Sequence, residues 1–315
     1  MRIVLLQSVV ALGGYEQHML NLATGLQRLG HEVHIMGLIN AGGFSLLREA
    51  AAPDIPVDFP QGWPHDPQHA WKMLDDLKPD VVNAQLPVSQ LALERNRAPV
   101  VGTVHSEFSF DMVPRCDAAV CLDQRAHKAA CTILNVRVHP GYNGIDLERF
   151  PYRRDVAERK GIAYWGRFDP LKMAAAEVIS ATHPVDCWGD TVPLAASGLR
   201  VRGRSRPEEV CYNYRIMTGS GLCALEMMAC GALLLSPEMT PGNIITWANA
   251  SFAVEVVYPP TDTTNQAVRH DLAGLLTLGD SELQERADFC RDWIEQEHDC
   301  VGMAGKFLDV YESVL

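Results

Sequence analysis

The stretch GSGLCALEMMACGALLLSP, residues 219–237, carries one charged side chain, Glu226, in an otherwise apolar run. It predicts a buried helix over residues 222–230, a stop at Gly231 and a buried strand over residues 232–236. A buried carboxylate without a partner costs on the order of several kcal/mol. We therefore expect Glu226 to have a polar partner.

The glycine-rich loop just before this helix suggests an anion site. Gly219, Ser220 and Gly221 offer backbone N–H groups at a helix N-terminus, where the helix dipole also favours negative charge. A phosphate at the helix start and a hydroxyl-rich group one turn further along would satisfy both the loop and Glu226. This pairing is the one expected of a bound nucleotide sugar.

Composition limits the class of protein. The chain has 315 residues, 47% hydrophobic and 21% charged, which is enough for two ordinary globular domains. Its net charge of −12 disfavours nucleic acid and anionic membrane surfaces as partners. The nine cysteines form no CxxC pair, and no run of about 20 apolar residues is present to span a bilayer. The first residues resemble a strand and loop more than a signal peptide, so the expected location is the cytoplasm.

Strand and helix patterns alternate along the chain, as expected for parallel sheets with helices on both faces. The first series has strands over residues 2–7, 32–38, 81–84, 100–104 and 118–121, and helices over residues 15–29, 67–77 and 124–134. The second has strands over residues 162–165, 185–188, 199–201, 232–236 and 253–257. A Pro/Gly/Asn-rich segment separates them, which predicts domains over residues 1–150 and 151–315. The last helix, residues 304–315, could pack back on the N-terminal domain.

Three further candidate positions follow predicted strands, where ligands bind in open α/β sheets. Gly13 and Gly14 follow the first strand, His105 follows residues 100–104, and Arg167 and Lys172 follow residues 162–165. Each position also has a plainer interpretation. The two glycines could form only a tight turn, His105 could be a structural histidine, and Arg167 and Lys172 could be ordinary surface cations. The first loop lacks the GxGxxG pattern, which disfavours a nicotinamide-dependent oxidoreductase.

Several motifs together resemble the retaining glycosyltransferases of family 4. They are GGYEQHMLNLATGLQRLGHEVHIMG, KPDVVNAQ, TVHSEF, CDAAVCLDQ, NGIDLERF, YWGRFDPLK, GLCALEMMACGALLL and FLDVYESVL, and they extend over most of the chain. The resemblance implies the GT-B fold, an α/β architecture in which two Rossmann-like, doubly wound parallel-sheet domains face a central cleft.

The resemblance also implies roles for individual residues. His105 would contact the donor sugar near the reacting carbon, Arg167 and Lys172 would hold the diphosphate, and Glu226 would bind the ribose hydroxyls. The catalytic candidates are His105, Arg167 and Lys172. The donor-binding set is Gly13, Gly14, Arg167, Lys172, Thr218, Gly219, Ser220, Gly221, Leu222 and Glu226.

The chain departs from the family pattern just before Glu226. Thr218 stands where the family usually has a second glutamate, and Ser220 replaces a common aromatic residue. The lead-in segment, VCYNYRIMTGSG, is short and lacks the customary strand pattern. These departures predict altered donor geometry, a hydroxyl in place of a carboxylate, or weakened catalysis.

The expected function is transfer of a sugar, with retention, from a nucleoside-diphosphate sugar to a hydroxyl of a small, glycan or carrier-borne acceptor. UDP is the favoured nucleotide and GDP is possible. No cofactor and no metal ion are expected, because cationic side chains would stabilise the leaving group. Two alternatives share the fold: a nucleotide-sugar-binding protein with weak or no catalysis, and a nucleotide-sugar epimerase. No carboxylate pair suited to glycoside hydrolysis is evident.

Overall fold

The computed structural model describes residues 1–10, 13–40, 54–85, 87–105, 115–168, 170–189, 198–203, 205–235 and 262–315. Within these ranges, the side chains of residues 10, 125, 170–172, 262–265 and 267 lie outside the description. The chain forms two compact units. The first unit combines Met1–Asp146 with Asp299–Leu315, and the second unit is Leu147–His298.

Each unit contains one parallel sheet. The strands are β1 Arg2–Val10, β2 Glu32–Asn40, β3 Val57–Asp58, β4 Val81–Gln85, β5 Val100–Val104, β6 Ala118–Cys121, β7 Arg137–Pro140, β8 Ile162–Trp165, β9 Val185–Trp188, β10 Leu199–Gly203, β11 Ile216–Thr218 and β12 Leu233–Leu234. The first sheet has the order β3-β2-β1-β4-β5-β6-β7, and the second has the order β10-β9-β8-β11-β12.

Helices connect the strands. In the described ranges the α-helices are α1 Gly14–Arg28, α2 Gln68–Leu77, α3 Gln90–Leu93, α4 Gln124–Ile133, α5 Pro170–Ser180, α6 Pro207–Val210, α7 Leu222–Ala229, α8 Asp262–Thr277, α9 Asp280–Glu297 and α10 Cys300–Glu312. None of the helices described is long and apolar enough to cross a membrane. The nine cysteines all lie in the described ranges, and none of them forms a disulfide.

The first sheet is buried on both faces, as parallel sheets generally are. Ile3 and Leu5 of β1 pack into a core with residues of α1 and α10, whereas Val4 and Leu6 pack into a second core with residues of α2. The alternation arises because successive strand residues point to opposite faces. The buried run at the start of β1 is therefore apolar without interruption.

The last helix, α10, belongs to the first unit and packs on α1. Gly25 of α1 permits this contact, because a Cβ there would lie 2.3 Å from the carbonyl oxygen of Cys300. The helix begins four residues before the predicted start. Asp299 caps it, with Oδ2 accepting from the backbone N–H groups of Val301 and Gly302, each at 3.1 Å.

In the second unit, residues of β8 and β9 pack against α5, α8 and α9 in one apolar core. Helix α7 packs against α9. The strand order changes direction between β8 and β11: β9 and β10 lie on one side of β8, and β11 and β12 on the other. Such a reversal creates a crevice at the carboxyl ends of the two central strands.

Most predicted elements are confirmed. The strands over residues 100–104, 118–121, 162–165 and 185–188 have the predicted bounds, and the other predicted elements in the described ranges differ by up to four residues at an end. The expectation that the segment before Gly219 lacks a strand is wrong. That segment contains β11, which lies buried between β8 and β12 and is only three residues long, too short to show a strand period. The strand predicted over residues 253–257 lies outside the described residues.

Candidate functional site

The loops after β8 and β11 lie side by side at the strand-order reversal of the second unit. Thr218 pairs with Tyr164 at the ends of these strands. A Cβ on Gly219 would lie 2.6 Å from the carbonyl oxygen of Trp165. Only glycine therefore allows the backbone segments after β8 and β11 to approach this closely. The reversal therefore brings two sequence-predicted segments, separated by more than fifty residues, to one edge of the sheet.

The N-terminus of α7 has the features of an anion site. Gly221 precedes the helix with φ of 59° and ψ of −135°, a backbone conformation that favours glycine. It provides no side-chain cap, and the first turn contains no acidic residue. Helix geometry leaves the first N–H groups of a helix without carbonyl partners inside that helix, and here the first of them is the N–H group of Leu222. Ser220, half-buried, lies in the same loop.

Glu226 lies one turn into α7 and is 5% exposed. Its Oε2 accepts a hydrogen bond of 3.0 Å from Nε1 of Trp165, the last residue of β8. Burial raises the pKa of Glu226 to about 7, while the charge of Arg149 and the bond from Trp165 act to lower it. The polar partner expected from the sequence is thus supplied within the protein by an indole N–H group.

Of the two predicted diphosphate cations, the structure describes one side chain. Arg167 follows Gly166 after β8 and is exposed, and no residue in the described ranges forms an ion pair with it. Its carbonyl oxygen accepts from the Tyr164 hydroxyl. Lys172 lies in the first turn of α5, directly after this loop, but its side chain is outside the description. The prediction that Arg167, Lys172 and Glu226 converge therefore stays a prediction.

Thr218 ends β11 and is fully buried. Its Oγ1 has no hydrogen-bond partner among the described residues. A buried hydroxyl without a hydrogen-bond partner is uncommon, and it costs free energy. The position is the one where the sequence departs from the family glutamate.

The glycine loop of the first unit differs electrostatically from that of the second. Gly13 precedes α1 in an extended conformation, and Gly14 is its exposed first residue. The first turn of α1 contains a carboxylate of its own, Glu16, which is 4% exposed and accepts a 2.7 Å hydrogen bond from Nε2 of Gln7. This negative charge offsets the positive end of the helix dipole. The start of α1 is consequently expected to be less favourable to an anion than the start of α7.

His105 is half-buried directly after β5, and its Nε2 lies 2.8 Å from Oε1 of Gln85. Tyr15 stacks on the imidazole with ring centroids 3.9 Å apart, and His18 meets its edge at 5.1 Å. Burial, and secondarily the proximity of His18, hold the pKa of His105 well below its usual range. The ring is neutral at pH 7.

Sequence reasoning missed several partners of these residues, namely Tyr15, His18, Gln85 and Trp165. One signal was present for Gln85: the strand pattern DVVNAQ places amide side chains where a buried parallel strand is normally apolar. The aromatic partners carry no comparable signal, because Tyr and Trp are ordinary residues in cores and turns.

Comparison with known proteins shows that the chain is similar to glycosyltransferases. Residues 12–149 match the model of the family described as Glycosyltransferase Family 4. A phosphatidyl-myo-inositol mannosyltransferase of Propionibacterium freudenreichii subsp. shermanii is 26% identical over 281 residues, covering 72% of this chain and 74% of that protein.

Solved structures show the same fold. Anabaena HepE in complex with UDP-glucose aligns with a TM-score of 0.71 at 13% identity, covering 99% of this chain and 100% of its own. The pneumococcal O-GlcNAc transferase GtfA, in complex with UDP and GlcNAc, aligns with a TM-score of 0.70 at 10% identity. The alignment covers 100% of this chain and 99% of the GtfA chain. The chain has the GT-B fold, and its residues 12–149 match the glycosyltransferase family 4 model.

Proposed function

We propose that the protein is a family 4 glycosyltransferase that transfers a sugar, with retention of its anomeric configuration, from a nucleoside-diphosphate sugar to an acceptor hydroxyl. The observation that carries the proposal is that the loop after β8, which bears exposed Arg167, lies beside the loop that leads from β11 into α7, a helix whose N-terminus has no side-chain cap. UDP is the favoured nucleotide and GDP the other candidate. The presence of UDP or UDP-glucose in the structural neighbours supports UDP.

The diphosphate is the group that this edge of the second unit suits best. Breaking the bond between sugar and phosphate builds negative charge on the leaving diphosphate. Arg167 offers two N–H groups in a fixed fork, and the first N–H groups of α7 add a fixed positive potential. Lys172 would add a second cation from α5. Preorganised donors of this kind act without a metal ion, and removing one typically costs about 3 kcal/mol, or roughly a hundredfold in rate.

Glu226 is proposed to bind the ribose hydroxyls one helical turn from the phosphates. Trp165 holds one carboxylate oxygen at 3.0 Å, which fixes the rotamer before the nucleotide arrives. Because hydroxyl donors stabilise the ionised carboxylate, nucleotide binding would lower the pKa of Glu226 from about 7 and release a proton. Nucleotide affinity is therefore expected to increase as the pH rises through 7.

The first unit is proposed to contact the sugar rather than the phosphates. The carboxylate of Glu16 in the first turn of α1 disfavours an anion beside Gly13 and Gly14. Hydroxyl groups suit this position and the neutral imidazole of His105. The acceptor is proposed to be a small molecule, a glycan or a hydroxyl on a carrier. The name of the mannosyltransferase relative, with its lipid-linked inositol, supports the last of these.

Thr218 favours a second candidate function, nucleotide-sugar binding with weak or no catalysis. Its buried, unpartnered hydroxyl replaces the glutamate that the family resemblance places against the donor sugar. One hydroxyl supplies less negative potential than a carboxylate to a sugar ring that develops positive charge. Binding of a nucleotide sugar with neither transfer nor hydrolysis would favour this candidate.

The decisive experiment has two stages. A thermal-shift screen against UDP-, GDP-, ADP- and dTDP-sugars identifies the donor, because a ligand that binds the folded state raises Tm. Turnover of that donor is then measured with and without acceptors, and the anomeric configuration of the product is read by NMR. Absence of binding to all four classes contradicts the proposal, and an inverted product contradicts retention.

Arg167→Ala tests the diphosphate role within the same assay. We expect turnover to fall about a hundredfold with Tm unchanged, because the side chain is exposed and the lost contact is to the ligand. Arg269→Ala is the matched control, since Arg269 is exposed on α8 of the same unit. Wild-type turnover in Arg167→Ala would remove this residue from the site.

A further inference from the structure

Three buried polar side chains on two adjacent strands of the first sheet form a hydrogen-bonded cluster that reaches His105. Asn83 and Gln85 of β4 and Thr103 of β5 are each at most 1% exposed. Gln85 and Thr103 are register partners on these adjacent strands. Buried parallel strands are ordinarily apolar on both faces, so three uncharged polar residues on these two strands are unusual. Buried polar side chains are normally hydrogen-bonded.

Hydrogen bonds fix the orientation of the Gln85 amide. Its Nε2 donates to Oδ1 of Asn83 and lies 3.4 Å from Oγ1 of Thr103, which itself donates to Oδ1 of Asn83 at 3.0 Å. With Nε2 directed into this cluster, Oε1 is left facing the imidazole of His105 at 2.8 Å. An amide oxygen only accepts hydrogen bonds.

The protonation of the ring follows from this contact. Since Gln85 Oε1 must accept, Nε2 of His105 carries the proton and donates. In a neutral imidazole the other nitrogen, Nδ1, is then a bare acceptor. Two residues of α1 hold the ring plane: Tyr15 stacks on it at an interplanar angle of 20°, and His18 meets it at 89°.

We infer that Gln85 is a positioning residue that holds His105 as the Nε2–H tautomer, so that the ring presents an acceptor lone pair at Nδ1 to a ligand hydroxyl. Asn83 and Thr103 act through Gln85 by fixing its amide. The identity of the ligand rests on the proposed function, whereas the tautomer is a property of the free protein. The two parts can therefore fail separately.

The tautomer is tested by NMR on the full-length, ¹⁵N-labelled protein without ligand. Two-bond ¹H–¹⁵N correlations distinguish the protonated from the unprotonated ring nitrogen, and loss of one ring pattern in His105→Gln assigns the signals. The expected result is a protonated Nε2 and a bare Nδ1 near pH 7. A protonated Nδ1 would mean that the Gln85 amide has the opposite orientation, and it would overturn the inference.

Two substitutions at Gln85 separate positioning from simple packing. Gln85→Met keeps the length of the side chain but removes the acceptor, so the single tautomer is expected to give way to a mixture. Gln85→Glu keeps an acceptor and adds a charge, so the Nε2–H tautomer should persist and the pKa of His105 should rise. The titratable groups facing the ring in the described residues are Tyr15 and His18, which neither variant changes. Gln68→Met, on the exposed start of α2, is the matched control and should leave the His105 signals unchanged.

The functional readout is donor turnover as a function of pH. Gln85→Met is expected to lower turnover about tenfold, the loss of one oriented hydrogen bond. Gln85→Glu is expected to shift the acidic limb of the profile to higher pH, because a protonated ring has no lone pair. His105 signals that are unchanged in Gln85→Met would refute positioning even if transfer is observed. A correct tautomer without any transfer would refute only the proposed function.

Discussion

Replacing Glu226 with glutamine should stabilise the ligand-free protein above pH 7 while weakening nucleotide binding. The carboxyl is buried, and its pKa is raised from 4.5 to about 7. Between these values the folded state retains a proton that the unfolded state has released. The free energy of unfolding therefore falls as the pH rises from about 4.5 through 7, and it levels off above.

The magnitude follows from the same two pKa values. At about 1.4 kcal/mol for each pKa unit, an increase from 4.5 to about 7 corresponds to on the order of 3 kcal/mol of stability lost by pH 8. Glutamine is uncharged and retains an oxygen that can accept from Trp165 Nε1. The variant should therefore escape this loss, and its advantage in Tm should be several degrees larger at pH 8 than at pH 5.

The assay is thermal unfolding of wild type and Glu226→Gln at pH 5 and pH 8. Comparing the two pH values cancels any constant cost of the extra amide proton. Glu177→Gln, the same substitution at an exposed position of α5, controls for surface charge. Calorimetry at pH 8 should show nucleotide affinity reduced tenfold or more, roughly the value of a hydrogen bond to a charged group. An identical pH dependence in wild type and Glu226→Gln would show that the carboxyl is not protonated in the folded state, and the reasoning would fail.

Four more substitutions test the segment between β11 and α7 and a buried histidine of the first unit. Gly219→Ala should lower the free energy of unfolding by about 1–3 kcal/mol in chemical denaturation, because its Cβ would lie 2.6 Å from the carbonyl oxygen of Trp165. Gly221→Ala should cost only about 1 kcal/mol, since nothing lies within 4 Å and only the positive φ opposes it; equal losses would argue against the close approach. Thr218→Val should raise the free energy of unfolding by about 1 kcal/mol by removing an unpartnered hydroxyl, and a loss of stability would reveal a hydrogen bond that the hydroxyl makes. His18, whose pKa burial lowers from 6.5 to about 4, should make wild type less stable as the pH falls through this range, and His18→Gln should show a shallower acid dependence.

The sequence by itself determined most of the secondary-structure elements, and it indicated where the candidate site would lie. Strands such as β5 and β8 were predicted correctly because an apolar run bounded by loop residues needs no knowledge of its neighbours. The same local logic placed His105 and Arg167 after strands, where α/β sheets bind ligands. It also required a polar partner for Glu226, because the cost of burying a charge is independent of the fold around it.

Only the tertiary structure decided which groups meet. The partner of Glu226 is Trp165, sixty-one positions away, and the partner of His105 is Gln85, twenty positions away. These pairs depend on strand order and register, which arise from the packing of many residues at once and leave no local pattern. β11 was missed for a related reason: three residues are too few to show a period, and the strand exists because β8 and β12 hydrogen-bond to it on both sides. The hydrophobic pattern of a segment is a local property, whereas the choice of a contact belongs to the folded chain.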